Sequence, residues 1–407
     1  MPSQRRRPKD RKAAIALIAA ERFCARGYHN VALEDIAKEV GITGPAIYRH
    51  FPTKQTLLAA AVEELGAHFA ECVEAGAEGD APADRLDAAL RALVRFSFDR
   101  RTMARLYQWE SRYLDAGRQA ALAGPFANAV RALREMLCGA RPGLPRRDAA
   151  TLVTAALSVI ASPSTHRASL ARGRAERAVL ECATAVIATN LPPAPSRRTP
   201  PPRSRADRFA LLPRRERLLV EAVRLFHERG YHRVSMCEIG EAAGINASSV
   251  YSHFASKTDL LAAAYYRATG RLEQAVAEAL GDAATPAQAL RRLIDIYVRS
   301  TFEQADLAGV YLSERENLAP ADRRRLQAAQ RRHVDTWIGL VAELRPEEEP
   351  AAIRYRVHAA LNVVTDLARS ASPSATEART TALLRPILEP SGGGVSRTFE
   401  APDRRAR

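Results

Sequence analysis

Apolar residues recur along most of the chain at the spacing of half-buried helices. Near the N-terminus Ile15, Ile18, Ala19 and Phe23 follow an i, i+3, i+4 pattern that places them on one helix face. The same pattern returns between residues 218 and 226. No segment shows a sustained alternation of apolar and polar residues, so strands are not expected. The sequence therefore predicts an all-α protein.

One block of residues occurs twice, 203 positions apart. Arg26-Gly27-Tyr28 returns as Arg229-Gly230-Tyr231, and the spacing holds without a gap to residues 57–61 and 260–264. Weaker matches at a spacing of 204 pair Tyr107, Glu110 and Leu114 with Tyr311, Glu314 and Leu318. A repeat of this length indicates a duplicated unit. We call residues 9–190 copy one and residues 209–389 copy two.

Each repeated block predicts two short helices joined by a tight turn. The helices span residues 33–40 and 44–50 in copy one, and 236–243 and 247–253 in copy two. The turns contain Gly41 and Gly244, and glycine adopts the positive φ that such turns require. Thr43 and Asn246 stand at the N-cap of the second helix, where a side-chain oxygen can accept a backbone N–H. This arrangement is typical of a helix-turn-helix.

The residues that follow make the pattern more specific. Residues 47–58 and 250–261, with Phe23, Gly27-Tyr28, Asp35-Ile36-Ala37 and Gly41, closely resemble the recognition helix and its surroundings in the tetracycline-repressor (TetR) family of bacterial transcription regulators. The resemblance covers about 50 residues in each copy, and each copy has the usual size of a family member. It implies two tandem TetR-like units, each with an N-terminal three-helix DNA-binding domain and a C-terminal helical bundle for ligand binding and dimerisation.

The resemblance also implies a role for individual residues when the second helix enters the major groove of duplex DNA. The positions expected to contact phosphates are Tyr48, His50, Lys54, Tyr251, His253 and Lys257. The positions expected to contact bases are Thr43, Pro45, Ala46 and Arg49 in copy one, and Asn246, Ser248, Ser249 and Ser252 in copy two. In the alternative reading, Tyr48 and Tyr251 cover the core and His50 is an exposed histidine without a role.

The two copies differ where specificity would be determined. Arg49, which can bind guanine with two hydrogen bonds, corresponds to Ser252. Ser235 and Glu238 form a predicted capping box for the first short helix of copy two, whereas copy one has Ala32 at the cap. We therefore expect the two copies to recognise different half-sites.

The resemblance assigns the C-terminal part of each copy to an unknown small-molecule effector. The candidate pocket residues are Phe96, Met103, Tyr107, Trp109, Phe126, Tyr297, Phe302, Tyr311 and Trp337. Aromatic residues at helical spacing also occur as plain core, which stays open as an alternative. Glu110 and Glu314 recur in an apolar setting that favours a buried structural hydrogen bond. No cofactor or metal ligand set is predicted.

The predicted divisions of the chain follow from these assignments. They are a disordered basic arm (1–8), the first helix-turn-helix domain (9–55), the first regulatory domain (56–190), a Pro/Arg-rich linker (191–208), the second helix-turn-helix domain (209–258), the second regulatory domain (259–389) and a disordered tail (390–407). Helix pairs at residues 147–162 with 174–190, and 351–370 with 376–389, are predicted to close the two bundles. The copies can then pair within one chain as a pseudo-dimer, which we favour, or two chains can form a homodimer.

Composition narrows the class of protein further. The 407 residues carry a formal charge of +15, with a pI near 10.1, which favours a polyanionic partner. Only five of the 61 basic residues are lysine, however, so a GC-rich genome also explains the excess of arginine. Five scattered cysteines without CxxC spacing favour a reduced cytoplasm. There is no signal-peptide pattern or apolar run of about 20 residues, so no membrane segment is predicted.

Other functions remain as alternatives. The sequence contains none of the common catalytic motifs, so an enzyme is not expected. A DNA-binding protein of the nucleoid type, indifferent to sequence, fits the charge equally well. In a third arrangement one copy serves only for dimerisation, and copy one, with Ala32, is then the weaker DNA-binding candidate. The preferred interpretation is a sequence-specific, ligand-responsive transcriptional repressor that binds a double-stranded DNA operator.

Overall fold

The computed structural model of the chain describes residues 8–26, 28–76, 79–101, 116–194, 209, 211–370 and 372–390. Every regular element in these ranges is a helix, which confirms the all-α prediction. Most of the predicted arm, linker and tail lies outside the described residues. So do Met103, Tyr107, Trp109 and Glu110. None of the described helices is long and apolar enough to cross a membrane.

The described helices of the two copies follow the same order, except that the helix Ala305–Glu314 of copy two corresponds to a stretch of copy one that lies mostly outside the described ranges. Copy one contains α1 (Pro8–Arg26), α2 (Leu33–Val40), α3 (Gly44–His50), α4 (Lys54–Glu74), α5 (Pro82–Asp99), α6 (Ala116–Ala140), α7 (Arg146–Ala161) and α8 (Arg172–Ala188). Copy two contains α9 (Arg214–Arg229), α10 (Met236–Ala242), α11 (Ala247–His253), α12 (Lys257–Gly281), α13 (Pro286–Glu303), α14 (Ala305–Glu314), α15 (Pro320–Leu344), α16 (Pro350–Arg369) and α17 (Glu377–Leu388). We call α1–α3 head one and α9–α11 head two.

Each head packs around its own apolar core. In head one Ile36 of α2 and Ile47 of α3 are fully buried, and Ile239 and Val250 are their fully buried counterparts in head two. Because each core includes the first helix and the start of the long helix that follows, the second short helix is held rigidly by its buried face.

Repeated ring contacts show how closely the two heads correspond. The rings of Phe23 and Tyr28 lie 5.3 Å apart, and those of Phe226 and Tyr231 lie 5.2 Å apart. Cations also repeat, since Lys12 lies over the Phe51 ring and Arg215 lies over the Phe254 ring. The heads therefore share one scaffold, and their differences are local.

The two copies pack against each other through their last helices. α7 and α8 of copy one lie against α16 and α17 of copy two, and one continuous apolar core fills the space between them. The side chains of Val159, Val186, Val363 and Leu384 are fully buried in this core. These four helices fall within a few residues of the predicted closing pairs. We call them the closing bundle.

Contacts across the closing bundle relate corresponding positions of the two copies. Asn362 Nδ2 donates to the main-chain oxygen of Ser158 at 2.7 Å, and these residues are 204 positions apart. This is the repeat spacing, so the contact joins equivalent sites, as at the axis of a two-fold symmetric interface.

Buried charges also connect the copies. Arg379 of α17 is 1% exposed and donates to Asp148 Oδ1 of α7 at 2.7 Å and to the carbonyl of Pro192 at 3.0 Å. Arg356 of α16 donates to Glu181 Oε2 of α8 at 2.8 Å. Glu181 is exposed, whereas Arg379 is buried, and a buried charge that loses its partner destabilises a protein strongly; the Arg379–Asp148 pair therefore favours one packing of the bundle over others.

A pair of equivalent arginines holds the C-terminus of the last helix in each copy. Arg141 donates to the carbonyl of Ile187 at 2.6 Å, and Arg345 donates to the carbonyl of Leu388 at 3.1 Å. These carbonyls lie at a helix end, where they have no partner within the helix. The sequence analysis missed this feature, although the Arg-Pro pairs at 141–142 and 345–346 repeat at the 204-residue spacing.

We predict that Arg379→Ala lowers the free energy of unfolding by about 3 kcal/mol, because the half-buried Asp148 loses its closest cation and the packing of the buried Arg379 side chain is lost. Arg174→Ala is the matched control, since Arg174 also pairs across the copies with Glu349 but is exposed. Its loss is expected to cost less than about 1 kcal/mol. Urea unfolding followed by circular dichroism measures both, and equal losses would contradict a structural role for the buried pair.

Candidate DNA interface and regulatory cavity

The turn between the two short helices has the predicted geometry in both heads. Gly41 has φ +75° and Gly244 has φ +65°, a region that favours glycine. The next amide in each head reaches back into the first helix: Ile42 N donates to Ala37 O at 2.9 Å and Ile245 N donates to Gly240 O at 2.8 Å. These bonds end α2 and α10 and determine where α3 and α11 begin.

The predicted N-cap of the second helix is present in only one head. Asn246 Oδ1 accepts from Ser249 N at 3.1 Å, as predicted. Thr43 makes no side-chain cap bond within the described part of the chain, so its predicted cap is wrong. Pro45 has no N–H to donate, and the amide of Ala46 donates to the main-chain carbonyl of Thr43 at 2.9 Å.

The cap of the first short helix also differs, as the sequence predicts. Ser235 Oγ accepts from Glu238 N at 3.2 Å, and Glu238 accepts from Ser235 N at 2.8 Å. The hydrogen bonds from Ser235, together with Arg229, lower the pKa of Glu238 to about 2. Ala32 has no side-chain acceptor, and its amide donates to Asp35 over a long 3.4 Å.

The side chains predicted to contact bases lie on the open face of each second helix. Most are exposed and two are half-buried; the exposed residues are Thr43, Pro45, Arg49, Asn246, Ser248 and Ser252, and the half-buried ones are Ala46 and Ser249. His253 is exposed and His50 is half-buried. Nothing described in the chain covers these faces.

The two tyrosines have different surroundings. Tyr48 Oη donates to Glu34 Oε1 at 2.7 Å. At the position of Glu34 copy two has Cys237, and the Tyr251 hydroxyl has no hydrogen-bond partner among the described residues. Both rings are exposed, Tyr48 by 44% and Tyr251 by 58%, so neither is a buried cap over the core.

The ammonium groups of Lys54 and Lys257 make contacts within the chain that were not predicted from the sequence. Lys257 Nζ donates to the carbonyls of Tyr231 and Val234, each at 2.7 Å, and lies 4.3 Å from the centre of the Tyr231 ring. Burial lowers its pKa. Lys54 lies 4.5 Å from the centre of the Tyr28 ring. Lys257 therefore ties the loop before α10 to the start of α12, a geometry that favours a positioning role over the predicted phosphate contact.

A shallow depression on head one brings several of the predicted contacts together. It has a volume of about 580 Å³, and Tyr48, Thr53 and Lys54 line it beside the first residues of α2. The N-terminus of a helix attracts anions, because its first amides are free and its dipole is positive there. Asp35 also lines the depression, so it contains a carboxylate as well as the Lys54 ammonium group.

A cavity of about 220 Å³ lies in the regulatory part of copy two. Of the predicted pocket residues, Tyr297 and Tyr311 line it, whereas Phe302 and Trp337 do not. Trp337 is fully buried beside it and donates to His333 Nε2 at 3.0 Å. Phe96 and Phe126 line a separate cavity of about 100 Å³ in copy one.

The sequence analysis missed the polar lining of the larger cavity. Gln304, Gln330, Tyr265 and His333 all face it. Burial lowers the pKa of His333 to about 4, so this histidine is neutral at pH 7. Among the described residues, no group of three or more His, Cys, Asp or Glu side chains is placed to hold a metal ion.

Helix α14 lies between this cavity and head two. Leu307, Ala308 and Tyr311 face the cavity, and Val310 belongs to the core of head two. At its end, the buried Glu314 accepts from Tyr231 N at 3.4 Å and from Asn317 Nδ2 at 2.9 Å. The predicted buried hydrogen bond of Glu314 is confirmed.

We predict opposite effects of exchanging the caps of α10 and α2. Ser235→Ala removes a cap and is expected to cost about 1 kcal/mol of stability, whereas Ala32→Ser is expected to add up to about 1 kcal/mol. Thermal unfolding of the two single variants and of the double variant measures this. A double variant with the wild-type stability, beside single variants that do not differ from the wild type, would contradict the assignment.

Comparison with known proteins identifies the heads. The family described as "Bacterial regulatory proteins, tetR family" matches residues 15–61 and 218–264, and "Tetracyclin repressor-like, C-terminal domain" matches residues 283–368. The curated relatives include the HTH-type transcriptional activator FasR of Mycolicibacterium smegmatis, 34% identical over 93 residues, or 23% of this chain and 42% of FasR. An uncharacterized HTH-type transcriptional regulator of Mycobacterium tuberculosis is 31% identical over 100 residues, or 25% of this chain and 50% of the relative. The matched stretches thus span half or less of these relatives.

Solved structures with a similar chain path include two regulators. The TetR family transcriptional regulator PfmR from Thermus thermophilus is 27% identical, with 44% of this chain and 98% of PfmR covered and a TM-score of 0.40. AibR in complex with isovaleryl coenzyme A and operator DNA is 21% identical, with 38% of this chain and 86% of AibR covered and a TM-score of 0.34. The two matched N-terminal domains and the matched C-terminal domain show that the chain belongs to the TetR family and carries the family's N-terminal domain twice.

Proposed function

We propose that the protein is a ligand-responsive transcriptional repressor that binds an operator with two non-identical heads in one chain. The observation that carries the proposal is the open face of α3 and α11, each on a rigid three-helix scaffold. In this proposal both helices enter the major groove, with their N-terminal residues toward the base edges.

The residue chemistry supports different base contacts in the two heads. Arg49 is exposed and fits the O6 and N7 acceptors of guanine. Its counterpart Ser252 is neutral, and its hydroxyl already donates to the carbonyl of Ser249 at 2.8 Å. Thr43, Pro45 and Ala46 of head one, and Asn246, Ser248 and Ser249 of head two, complete the proposed base-contacting sets. An operator with two unlike halves follows from this difference.

We further propose that the closing bundle takes the place of a homodimer interface. A shared apolar core, the buried Arg379–Asp148 pair and the contact between the equivalent Asn362 and Ser158 support this arrangement. Apolar burial and paired buried charges are features of permanent interfaces. One chain then presents both heads, and no second chain is needed.

The position of α14 supports a response to a ligand in the cavity of copy two. One face of α14 lines the cavity through Ala308 and Tyr311, and its Val310 packs into the core of head two. Glu314 connects the end of α14 to the loop before α10 through Tyr231. A ligand that shifts α14 therefore shifts head two, which lowers operator affinity by a coupling free energy.

The cavity lining supports a neutral, largely apolar effector. Glu273 is the one charged side chain among the described residues of the lining, and it pairs with Arg332 at the exposed rim. His333 is neutral, and Tyr311 donates to Gln330 Oε1 at 3.0 Å. The described lining has no cationic side chain that could replace the hydration of a ligand carboxylate. Burying an unpaired charge is costly.

We predict that Arg49→Ala relaxes specificity at one base pair, in one half of the operator only, by about 1–3 kcal/mol. Selection from a random duplex library with the wild type defines the operator, and selection with the variant measures the change. Arg331→Ala, which removes an exposed charge far from the heads, is the control. The protein–DNA complex should contain one 44.5 kDa chain, and a reporter under this operator should lose expression.

Three results would contradict parts of this proposal. Recovery of no preferred sequence would favour a sequence-indifferent DNA-binding protein, whose affinity follows salt alone. Two chains on a palindromic site would contradict the pseudo-dimer. Increased reporter expression would make the protein an activator.

We predict that naphthol, a neutral aromatic probe, raises the melting temperature by a few degrees at about ten times its dissociation constant. Naphthoate, which carries a carboxylate on the same rings, should leave it unchanged. Ala308→Phe fills the cavity and should abolish the naphthol shift while the circular dichroism spectrum shows that the variant is folded. Equal stabilisation by both probes would contradict the neutral class of effector.

A further inference from the structure

We propose that the two heads contact the DNA backbone unequally through their tyrosines: Glu34 accepts the hydrogen bond of the Tyr48 hydroxyl in head one, so the Tyr251 hydroxyl gives head two the stronger tyrosine–phosphate contact. This inference rests on the proposed function and assigns a role within it to Glu34, which neither the family match nor the helix-turn-helix pattern singles out.

The contact in head one uses the only proton that the tyrosine can donate. Tyr48 Oη donates to Glu34 Oε1 at 2.7 Å, and a phenol hydroxyl has a single hydrogen. A phosphate oxygen that approaches Tyr48 must displace the carboxylate or do without this bond. The hydrogen bond from Tyr48 lowers the pKa of Glu34, so Glu34 is ionised at neutral pH.

The carboxylate is also placed where DNA is expected. Glu34 is exposed, and its Cγ lies 3.8 Å from the position that a Cβ on Gly44 would take, at the first residue of α3. A negative charge here repels a phosphate bound beside Tyr48. Two like charges about 4 Å apart in water repel enough to weaken binding by about fivefold.

Head two lacks both effects. Cys237 replaces Glu34 and carries no carboxylate, and Tyr251 is 58% exposed. The Phe–Tyr and cation–ring contacts of the two heads match. Glu34 and Cys237 are therefore the side chains that make the two tyrosine hydroxyls differ.

This asymmetry complements the difference in base contacts. Head one has Arg49 for a guanine but a weakened backbone contact, so its binding depends on the correct base pair. Head two has neutral polar residues on α11 and a free tyrosine, so it holds DNA of many sequences. Phosphate contacts position a protein and base contacts specify the sequence, and the two tasks would here fall to different heads.

The first test compares matched substitutions in the two heads of the full chain. The probe is a labelled mixed-sequence duplex of about 30 base pairs, long enough for heads one or two helical turns apart. Tyr251→Phe should weaken binding by about fivefold, which is a typical net value for one hydrogen bond, and Tyr48→Phe should weaken it by less than about twofold. Equal losses, or a larger loss for Tyr48→Phe, would overturn the inference.

The second test removes the carboxylate at Glu34 and, in a separate variant, introduces one at Cys237. Glu34→Gln should tighten duplex binding by about fivefold, and Cys237→Glu should weaken it by a similar factor. In the Cys237→Glu protein, a further Tyr251→Phe substitution should leave duplex affinity unchanged. Glu63→Gln, which removes an exposed charge of α4 away from the DNA face, controls for net charge. Melting temperatures verify that each variant is folded. A Glu34→Gln protein that binds no tighter than Glu63→Gln would overturn the inference.

The outcomes separate this inference from the proposed function. Duplex binding by the wild type, with symmetric effects of the tyrosine substitutions, would overturn the unequal heads and leave DNA binding intact. Failure of the wild type and of Glu34→Gln to bind any duplex, even in dilute salt, would overturn both.

Discussion

The arrangement of this chain depends on the apolar core that α7, α8, α16 and α17 share. Without it, the two copies would be separate units joined by a proline-rich segment, and nothing would determine how one head is placed relative to the other. Burial of valine and leucine side chains from both copies supplies the favourable free energy. The Arg379–Asp148 pair adds specificity, because a shifted packing would leave the buried Arg379 without this partner.

The regulatory part of copy two is attached to its head by a different kind of contact. Helix α14 has small and apolar residues on two faces. One face lines the cavity, and the other packs into the core of head two. Glu314 adds a polar connection at its end, through the backbone amide of Tyr231. A packed interior transmits displacement because it has few voids to absorb it. The geometry therefore joins the cavity to the proposed DNA-binding surface through a single element.

Much of this was predictable from the sequence, and the exceptions have a common cause. The repeat, the short helices, the turns at Gly41 and Gly244 and the cap of Ser235 are local, and local spacing encodes them. The missed features join residues far apart in sequence. Lys257 meets carbonyls 23 and 26 positions earlier, and Arg379 meets Asp148 at a separation of 231. The predicted cap at Thr43 was wrong for a different reason. Threonine is a suitable N-cap residue, but the neighbouring Pro45 has no backbone N–H to donate to the threonine side chain. The lining of the cavity was only partly predicted, because the candidate residues were mostly aromatic and did not include its glutamine and histidine side chains.

Joining two copies in one polypeptide changes how occupancy of DNA depends on the amount of protein. A regulator assembled from separate subunits must first associate, so its active form falls with the square of concentration when the protein is scarce. In the pseudo-dimer that we propose, the closing bundle forms inside one chain, and the active form would fall only in proportion to concentration. A cell can then use such a regulator when only a few molecules are present. A substitution in one copy also changes that copy alone, whereas in a homodimer it would change both subunits.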